Sequence, residues 1–247
     1  MNENKGRVAM ISGANRGIGA AIAAHLKEKG WQLSLGVRRP GEIDPTLTGD
    51  QVLVHRYDAA TSEFDYAWVE ATLERFGRID ALINNAGIMI PKTVIEAEDA
   101  DIDAIFDINV KAPLRLARAA WPHLKSTGRG RVVSVVSLSG HRVKSPRSGL
   151  YSMSKFAALA LSHALRQEGW EDGVRATALC PGLVATDMGQ RAGNVAPEEM
   201  TQPADLARLV EMALDMPNTA SLAELNVNAS LDAVSYTHLT LPTIYSV

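Results

Sequence analysis

The chain has 247 residues, of which 46% are hydrophobic and 21% charged, which is typical of a globular protein and excludes a disordered or collagen-like chain. Its net charge of −3 gives no basic excess that would indicate a nucleic-acid partner. The single cysteine excludes an intrachain disulfide and a cysteine zinc site, and no metal is predicted. Since no apolar run is long enough for a membrane span and the first residues lack a signal peptide's apolar region, we expect a soluble, cytoplasmic protein without a membrane partner.

Short apolar runs alternate with helical patterns along the chain. The first run, Arg7–Ser12, precedes a glycine-rich turn, and Ile18, Ile22 and Leu26 then recur at helical spacing before Gly30, a predicted C-terminal cap. The other predicted strands are Leu33–Val37, Gln51–Tyr57, Ile79–Asn84, Arg131–Ser137, Arg175–Cys180 and Ser221–Val227. Further predicted helices include Phe64–Phe76 and Ala157–Leu165.

This alternation predicts an α/β fold, a doubly wound, Rossmann-type parallel sheet of about seven strands with helices on both faces. No change of composition divides residues 1–234, which we therefore expect to form a single domain. A closed eight-stranded barrel is the alternative architecture. It would require eight strand–helix units, which is more than the apolar runs provide.

The turn after the first strand has the sequence S-G-A-N-R-G-I-G over residues 12–19. Glycines between a strand and a helix allow the backbone to approach a pyrophosphate, whose charge is favoured at the helix N-terminus. Its spacing, G-x-x-x-G-x-G, differs from the commoner G-x-G-x-x-G, and taken alone it also fits a plain glycine-rich turn.

Tyr151 and Lys155 are separated by one helical turn and therefore share a helix face. A phenol has a pKa of about 10, and lowering it by about three units requires about 4 kcal/mol. An ammonium about 4 Å away supplies about this energy at an effective dielectric constant of about 20. We therefore expect Lys155 to lower the pKa of Tyr151 and to make it a general acid/base. In isolation, this common spacing is better explained by a tyrosine packed on a lysine stem.

Two more motifs follow predicted strands, namely N-N-A-G at residues 84–87 and P-G-L-V-A-T at residues 181–186. Taken with the glycine turn and the Tyr/Lys pair, the chain from Arg7 to about Ala229 resembles the short-chain dehydrogenase/reductase family in its short, single-domain subtype. The resemblance implies a catalytic tetrad of Asn109, Ser137, Tyr151 and Lys155. It implies cofactor contacts by Gly13, Asn15, Arg16, Gly17, Ile18, Gly19, Arg38, Asp58, Asn85, Ala86, Gly87, Tyr151, Lys155, Pro181, Gly182, Val184 and Thr186.

The chain departs from the family pattern at two places. The spacing from Ser137 to Tyr151 is one residue longer than usual, so Ser139 is the alternative catalytic serine. At the C-terminus, the usual Gly-Gly segment is missing, and Ser235–Val247 fits neither the family nor the preceding composition. We interpret this tail as atypical sequence of foreign origin, and we assign it no function.

The cofactor that the resemblance implies is NADP, in its reduced form NADPH. Family members that use NAD carry an acidic residue at the end of the second strand, where this chain has Val37, Arg38 and Arg39. Guanidinium groups of Arg38 and Arg16 suit a 2′-phosphate instead. The alternative interpretation is that both are solvated surface arginines.

The helix that carries Asn109 contains a proline four residues later. Pro113 has no N–H to donate to the carbonyl of Asn109, which predicts a break in helical hydrogen bonding and a free carbonyl directed toward Lys155. In the resembled family, a water molecule at this position links the asparagine to the lysine.

The resulting functional hypothesis is an NADP-dependent oxidoreductase that interconverts a carbonyl and a secondary alcohol, with a small-molecule substrate. Alternatives are a sugar-nucleotide epimerase, which the short chain and the glycine spacing disfavour, and a catalytically idle NADP-binding regulator. The family resemblance also predicts a homo-oligomer, a dimer or tetramer. Small residues on the helix after Tyr151, namely Ala157, Ala158 and Ala160, would allow close helix approach.

Overall fold

Seven parallel strands form one twisted layer at the centre of the protein, in a computed structural model that describes residues 6–231. Their order is β3-β2-β1-β4-β5-β6-β7, and every neighbouring pair is parallel. The strands are β1 (Val8–Ser12), β2 (Gln32–Val37), β3 (Val52–Arg56), β4 (Ala81–Asn84), β5 (Arg131–Val135), β6 (Arg175–Pro181) and β7 (Glu224–Val227). The predicted doubly wound sheet is confirmed, and the barrel alternative is wrong because β3 and β7 do not pair with each other.

Helices cover both faces of the sheet. They are α1 (Gly17–Glu28), α2 (Glu63–Phe76), α3 (Asp99–Phe106), α4 (Ala112–Ser126), α5 (Gly149–Glu168), α6 (Asp187–Ala192) and α7 (Pro203–Asp215). One apolar core joins α1 and α7 to the sheet through residues such as Ile22, Leu26 and Val210. The core on the opposite face contains Trp68 of α2 and Leu116 of α4. This two-sided burial explains why β1 is apolar and buried along almost its whole length.

Local sequence signals explain several element ends. Gly30 and Gly77 follow α1 and α2 with φ of +84° and +74°, the left-handed conformation that glycine adopts without a Cβ penalty. Helix α7 was not predicted, although Leu206, Val210 and Leu214 recur at helical spacing and are fully buried. The predicted helix Ala157–Leu165 is part of a longer helix, α5, which begins before Tyr151.

A π-helical turn over Asp107–Lys111 joins α3 to α4. The N–H of Ala112 donates to the carbonyl of Asp107, five residues back, instead of four. The predicted break in α-helical hydrogen bonding before Pro113 is therefore confirmed. It takes the form of a change in hydrogen-bond register, because Asp107, Lys111 and Ala112 keep right-handed helical backbone angles.

A buried charge pair connects α2 to α4. Arg115 donates from Nε to Oδ2 of Asp65 at 2.7 Å and from Nη2 to the carbonyl of Ala59 at 2.9 Å. The hydroxyl of Tyr57 donates to the other carboxylate oxygen of Asp65 at 3.1 Å. Asp65 is 1% exposed, so its negative charge is stabilised by these two partners and not by water.

None of the helices between residues 6 and 231 combines the length and the apolar character needed to span a membrane. The interpretation of Ser235–Val247 as foreign sequence lies outside the described residues.

Candidate active site

The predicted site residues collect at the carboxyl ends of the strands. Strands β1 and β4 are neighbours at the centre of the sheet, and successive strands are added outward from them in opposite directions. In open parallel sheets, a crevice forms at such a switch point, outside the carboxyl ends of the strands. The glycine turn follows β1, and the N-N-A-G segment begins at the end of β4.

The glycine turn is shaped by positions that exclude a side chain. Gly13 and Gly17 have φ of +69° and +58°, which L-residues with a Cβ rarely adopt. A Cβ on Gly19 would lie 2.4 Å from the carbonyl oxygen of Gly13 and 2.5 Å from Nδ2 of Asn85. The turn therefore presents bare backbone at the N-terminus of α1, a cradle that fits a pyrophosphate.

Hydrogen bonds tie this cradle to the N-N-A-G segment. The Oγ of Ser12 accepts from the N–H groups of Asn85 at 3.0 Å and Ala86 at 3.1 Å. In return, Nδ2 of Asn85 donates to the carbonyls of Ser12 at 2.9 Å and Gly13 at 3.1 Å. Four hydrogen bonds thus fix one loop against the other, which explains why the motifs at residues 12–19 and 84–87 occur together.

Arg38 and Arg16, the two arginines predicted to bind a 2′-phosphate, differ in their surroundings. Arg38 directly follows β2, is exposed, and has no ion-pair partner within residues 6–231. The neighbouring Arg39 pairs with Glu42. Arg16 donates from Nη1 to Oδ2 of Asp187 at 2.9 Å, and both side chains are more than 60% exposed. Arg38 can therefore bind an anion directly, whereas Arg16 must first give up its ion pair with Asp187.

Asp58 follows β3 and lies partly buried at the same edge of the sheet. Its Oδ1 accepts from the N–H of Ala60 at 3.1 Å, so the carboxylate also holds its own turn. On the opposite side of the crevice, Thr186 caps α6 by accepting from the N–H of Gly189 at 3.2 Å. The backbone around Val184 is fixed by hydrogen bonds between residues 183–185 and Thr201.

Three residues of the predicted tetrad come together beside the cradle. Ser137 lies within hydrogen-bonding reach of the Tyr151 side chain, and its hydroxyl donates to the carbonyl of Pro181 at 3.4 Å. Lys155 Nζ lies 5.6 Å from the centre of the tyrosine ring. Lys155 is buried and donates from Nζ to the carbonyl of Val135 at 2.9 Å. The alternative serine, Ser139, contributes a backbone N–H to Ser137 Oγ at 3.1 Å, so this contact orients Ser137.

Burial controls the protonation of this group. It raises the pKa of Tyr151 to about 12, and the hydrogen bond to Ser137 acts in the opposite direction. Burial also lowers the pKa of Lys155 to about 8. The expectation that Lys155 lowers the pKa of Tyr151 is wrong for the chain alone, because both groups are desolvated and the ammonium is bonded to Val135.

Asn109, the fourth tetrad residue, acts through its side chain as a bridge. Its Oδ1 accepts from the N–H of Ile88 at 2.9 Å, and its Nδ2 donates to the carbonyl of Ile88 at 2.9 Å and to Oγ of Ser154 at 3.0 Å. The amide thus joins the loop after β4 to helix α5. Ser154 was missed at the sequence level, although it directly precedes Lys155.

A cavity of about 10 Å³, close to the volume that one water molecule needs, lies between Asn109, Pro113 and Lys155. Asn84 and Ser134 also line it, and the side-chain N and O atoms of both are buried without a hydrogen-bond partner within residues 6–231. Sequence reasoning assigned Asn84 no role beyond its place in the N-N-A-G motif and did not single out Ser134, because a polar side chain on a buried strand gives no indication of which neighbour it faces.

Comparison with known proteins identifies the family. Residues 7–195 match the short chain dehydrogenase family. The chain belongs to this family. This is the family that the motifs in the sequence resemble. An uncharacterized oxidoreductase of Staphylococcus saprophyticus is 32% identical over 247 residues, covering 93% of this chain and 98% of that protein.

A longer relative is an agropine synthesis reductase of Rhizobium rhizogenes, 40% identical over 234 residues. The match covers 92% of this chain but only 53% of the reductase, so the chain spans about half the length of that relative. Among solved structures, an alcohol dehydrogenase from Thermococcus sibiricus complexed with 5-hydroxy-NADP aligns with a TM-score of 0.83 at 30% identity, covering 93% of this chain and 99% of that one. A Burkholderia cenocepacia short chain dehydrogenase in complex with NADP gives 0.83 at 27% identity, with coverages of 92% and 98%.

Proposed function

We propose that this short-chain dehydrogenase interconverts a carbonyl and a secondary alcohol with NADP(H) as its cofactor. The observation that carries the proposal is the contact of Ser137 with Tyr151, with Lys155 beside them, next to a glycine cradle that fits a pyrophosphate. Bound NADPH supplies a hydride to the carbonyl carbon, and NADP accepts one from the alcohol. In the proposal, residues 1–234 form the domain that holds both ligands.

The acid/base step is assigned to Tyr151. With its pKa raised to about 12, the phenol is neutral at pH 7 and holds the proton that a reduced carbonyl oxygen needs. Ser137 is placed to donate a hydrogen bond to the same oxygen. Lys155 donates hydrogen bonds toward the cofactor's ribose and, when protonated, stabilises the phenolate left after proton transfer.

After Tyr151 has given its proton to the substrate, a new proton has to reach the phenolate oxygen. Pro113 cannot donate to the carbonyl of Asn109, and the cavity of about 10 Å³ beside it contacts Lys155. We assign this cavity to an ordered water that accepts from Lys155 and donates to the Asn109 carbonyl. The unpartnered polar atoms of Asn84 and Ser134 supply its other contacts.

A panel of ketones and secondary alcohols, assayed with NADPH and NADP, tests the proposed reaction. We expect turnover of at least one substrate class and no turnover when the nicotinamide cofactor is omitted. A protein that binds NADP but turns over no carbonyl or alcohol would favour the idle regulator instead. The names of its relatives, a reductase and an alcohol dehydrogenase complexed with an NADP derivative, support trying both reaction directions.

Replacing Arg38 with aspartate is expected to weaken NADP binding by about 10–150-fold and to spare or improve NAD binding. The reason is that charge-assisted hydrogen bonds to a 2′-phosphate contribute about 1.5–3 kcal/mol, which the substitution removes. Titration of both dinucleotides against the wild type and the variant measures the effect. Arg39→Asp is the matched control, because it makes the same charge change at a side chain already paired with Glu42. Equal wild-type affinities for NADP and NAD would contradict the assignment.

We also propose that two copies pair through α5, the helix that carries Tyr151. Met153, Phe156, Ala157 and Ala160 share one helical face, and Met153 and Phe156 are 47% and 44% exposed. Ala158 does not belong to this face, which corrects the earlier expectation. It is 7% exposed and packs in the core beside Val136 and Cys180.

Sedimentation of the chain with and without residues 235–247 is expected to give at least a dimer in both cases. Phe156→Lys should shift the protein toward the monomer, because it places a charge in an apolar contact. Tyr66→Lys is the control, since Tyr66 is 58% exposed and lies on α2 instead of α5. A monomeric wild type, or equal effects of the two substitutions, would contradict the assignment.

A further inference from the structure

Four side chains with metal-binding chemistry meet on the side of the sheet formed by β6 and β7. His141 follows the turn after β5, Cys180 lies near the end of β6, Glu224 begins β7, and His163 lies on α5. Nε2 of His141 lies 3.2 Å from Oε2 of Glu224, and Nε2 of His163 lies 2.7 Å from Oε1 of the same carboxylate. Ligand atoms of His141, Cys180 and Glu224 all lie within 4.8 Å of one another.

This donor set is suited to a borderline-soft divalent cation. Zinc takes imidazole nitrogen and carboxylate oxygen at about 2.0–2.2 Å and thiolate sulfur at about 2.3 Å. Tetrahedral ligands at these distances are about 3.4–3.7 Å apart, so no two of the three ligand atoms need to approach each other by more than about 1.4 Å. The imidazole of His141 and the carboxylate of Glu224 are 33% and 27% exposed, which leaves an entry route, while Cys180 is fully buried.

We propose that His141, Cys180 and Glu224 bind one Zn²⁺ ion, with a water molecule as the fourth ligand. Binding releases the thiol proton of Cys180 to solvent, and the sulfur then bonds to the metal as a thiolate. His163 is a positioning residue, because its ring nitrogen holds the second oxygen of Glu224 and orients the carboxylate.

The site would cross-link parts of the chain that are distant in sequence. It joins the segment after β5 to β6 and to the edge strand β7. The Cys180 sulfur lies close to the backbone N–H of Ser137, so the ion would also lie close to the serine of the proposed tetrad. The prediction of no metal from a single cysteine considered only cysteine-rich sites, and these ligands come from three separate segments.

Titration of the chelator-treated full chain with Zn²⁺, and separately with Co²⁺, tests the site. We expect one Zn²⁺ per chain and, with Co²⁺, a thiolate-to-metal charge-transfer band in the near ultraviolet. Since Cys180 is the only cysteine in the sequence, this band assigns the sulfur ligand without ambiguity. Zn²⁺ should also raise the temperature of unfolding of the wild type, because it binds the folded chain alone.

Variants separate this site from adventitious binding at surface histidines. Cys180→Ser and Cys180→Ala should abolish the band, and His141→Ala should weaken Zn²⁺ binding at least 10-fold. His163→Gln should weaken binding by about 10–100-fold but keep the band at saturating Co²⁺. Glu211→Gln is the matched control, since His25 and Glu211 form a similar pair at 2.6 Å without a thiol among the potential ligands. No band at saturating Co²⁺, or unchanged Zn²⁺ affinity in both Cys180 variants and His141→Ala, would overturn the proposal.

Discussion

Tyr151→Phe should lower turnover by about 10²–10⁴-fold, the usual contribution of a general acid/base, while NADP affinity stays close to that of the wild type. The substitution removes the hydroxyl that lies within hydrogen-bonding reach of Ser137 and keeps the ring beside Lys155. Steady-state kinetics with a substrate found in the carbonyl and alcohol panel, together with NADP titration, measure the two quantities separately.

The control for this substitution is Tyr66→Phe. Tyr66 lies on α2 and is 58% exposed, so loss of its hydroxyl should leave turnover unchanged. Comparable turnover in Tyr151→Phe and in the wild type would remove Tyr151 from the reaction. A loss of NADP affinity equal to the loss of turnover would assign it a binding role instead.

Arg115→Met is expected to lower the free energy of unfolding by about 3 kcal/mol, at the lower end of the cost of breaking a buried ion pair. It leaves the carboxylate of Asp65 buried with only the Tyr57 hydroxyl as a partner. The variant also loses the hydrogen bond to Ala59, next to the predicted cofactor contact Asp58. Urea denaturation at pH 7 gives the stability difference.

A second substitution tests whether the buried charge is the cause. Asp65→Asn on the Arg115→Met background removes the charge and keeps an oxygen that accepts from Tyr57, so most of the stability should return. If the double variant is as unstable as Arg115→Met alone, lost packing of the arginine stem explains the effect instead. Arg118→Met, on the same helix with no charge partner within residues 6–231, should change stability by less than about 0.5 kcal/mol.

The fold was predictable because each strand of the sheet can be recognised from its own residues. Residues such as Ile11, Leu35 and Val133 are buried from both faces of a parallel sheet, and continuous apolar runs result. Pro113 likewise predicted the hydrogen-bond break, since the missing N–H is a covalent property. Helix α7 was missed, although Leu206, Val210 and Leu214 recur at helical spacing.

The site was predictable only where a motif fixes its neighbours along the chain. Tyr151 and Lys155 share a helix, and the residues of the glycine turn are consecutive. The pKa of Tyr151 could not be inferred, since the spacing gives the distance to Lys155 but not the desolvation of both groups or the carbonyl that Lys155 contacts. The grouping of Cys180 with His141 and Glu224 depends on the order of the strands in the sheet, which no local pattern encodes.

The pairing of Arg16 with Asp187 turns phosphate binding into an exchange. An anion that binds the Arg16 guanidinium must displace the carboxylate of Asp187, the first residue of α6. The N-terminus of α6 then loses its ion pair with the glycine turn. An exposed ion pair of this kind contributes only about 0–1 kcal/mol, and dissolved salt weakens it further. A higher ionic strength therefore weakens two interactions at once. It weakens the Arg16–Asp187 ion pair that must be broken, and it screens the attraction between Arg16 and the incoming phosphate.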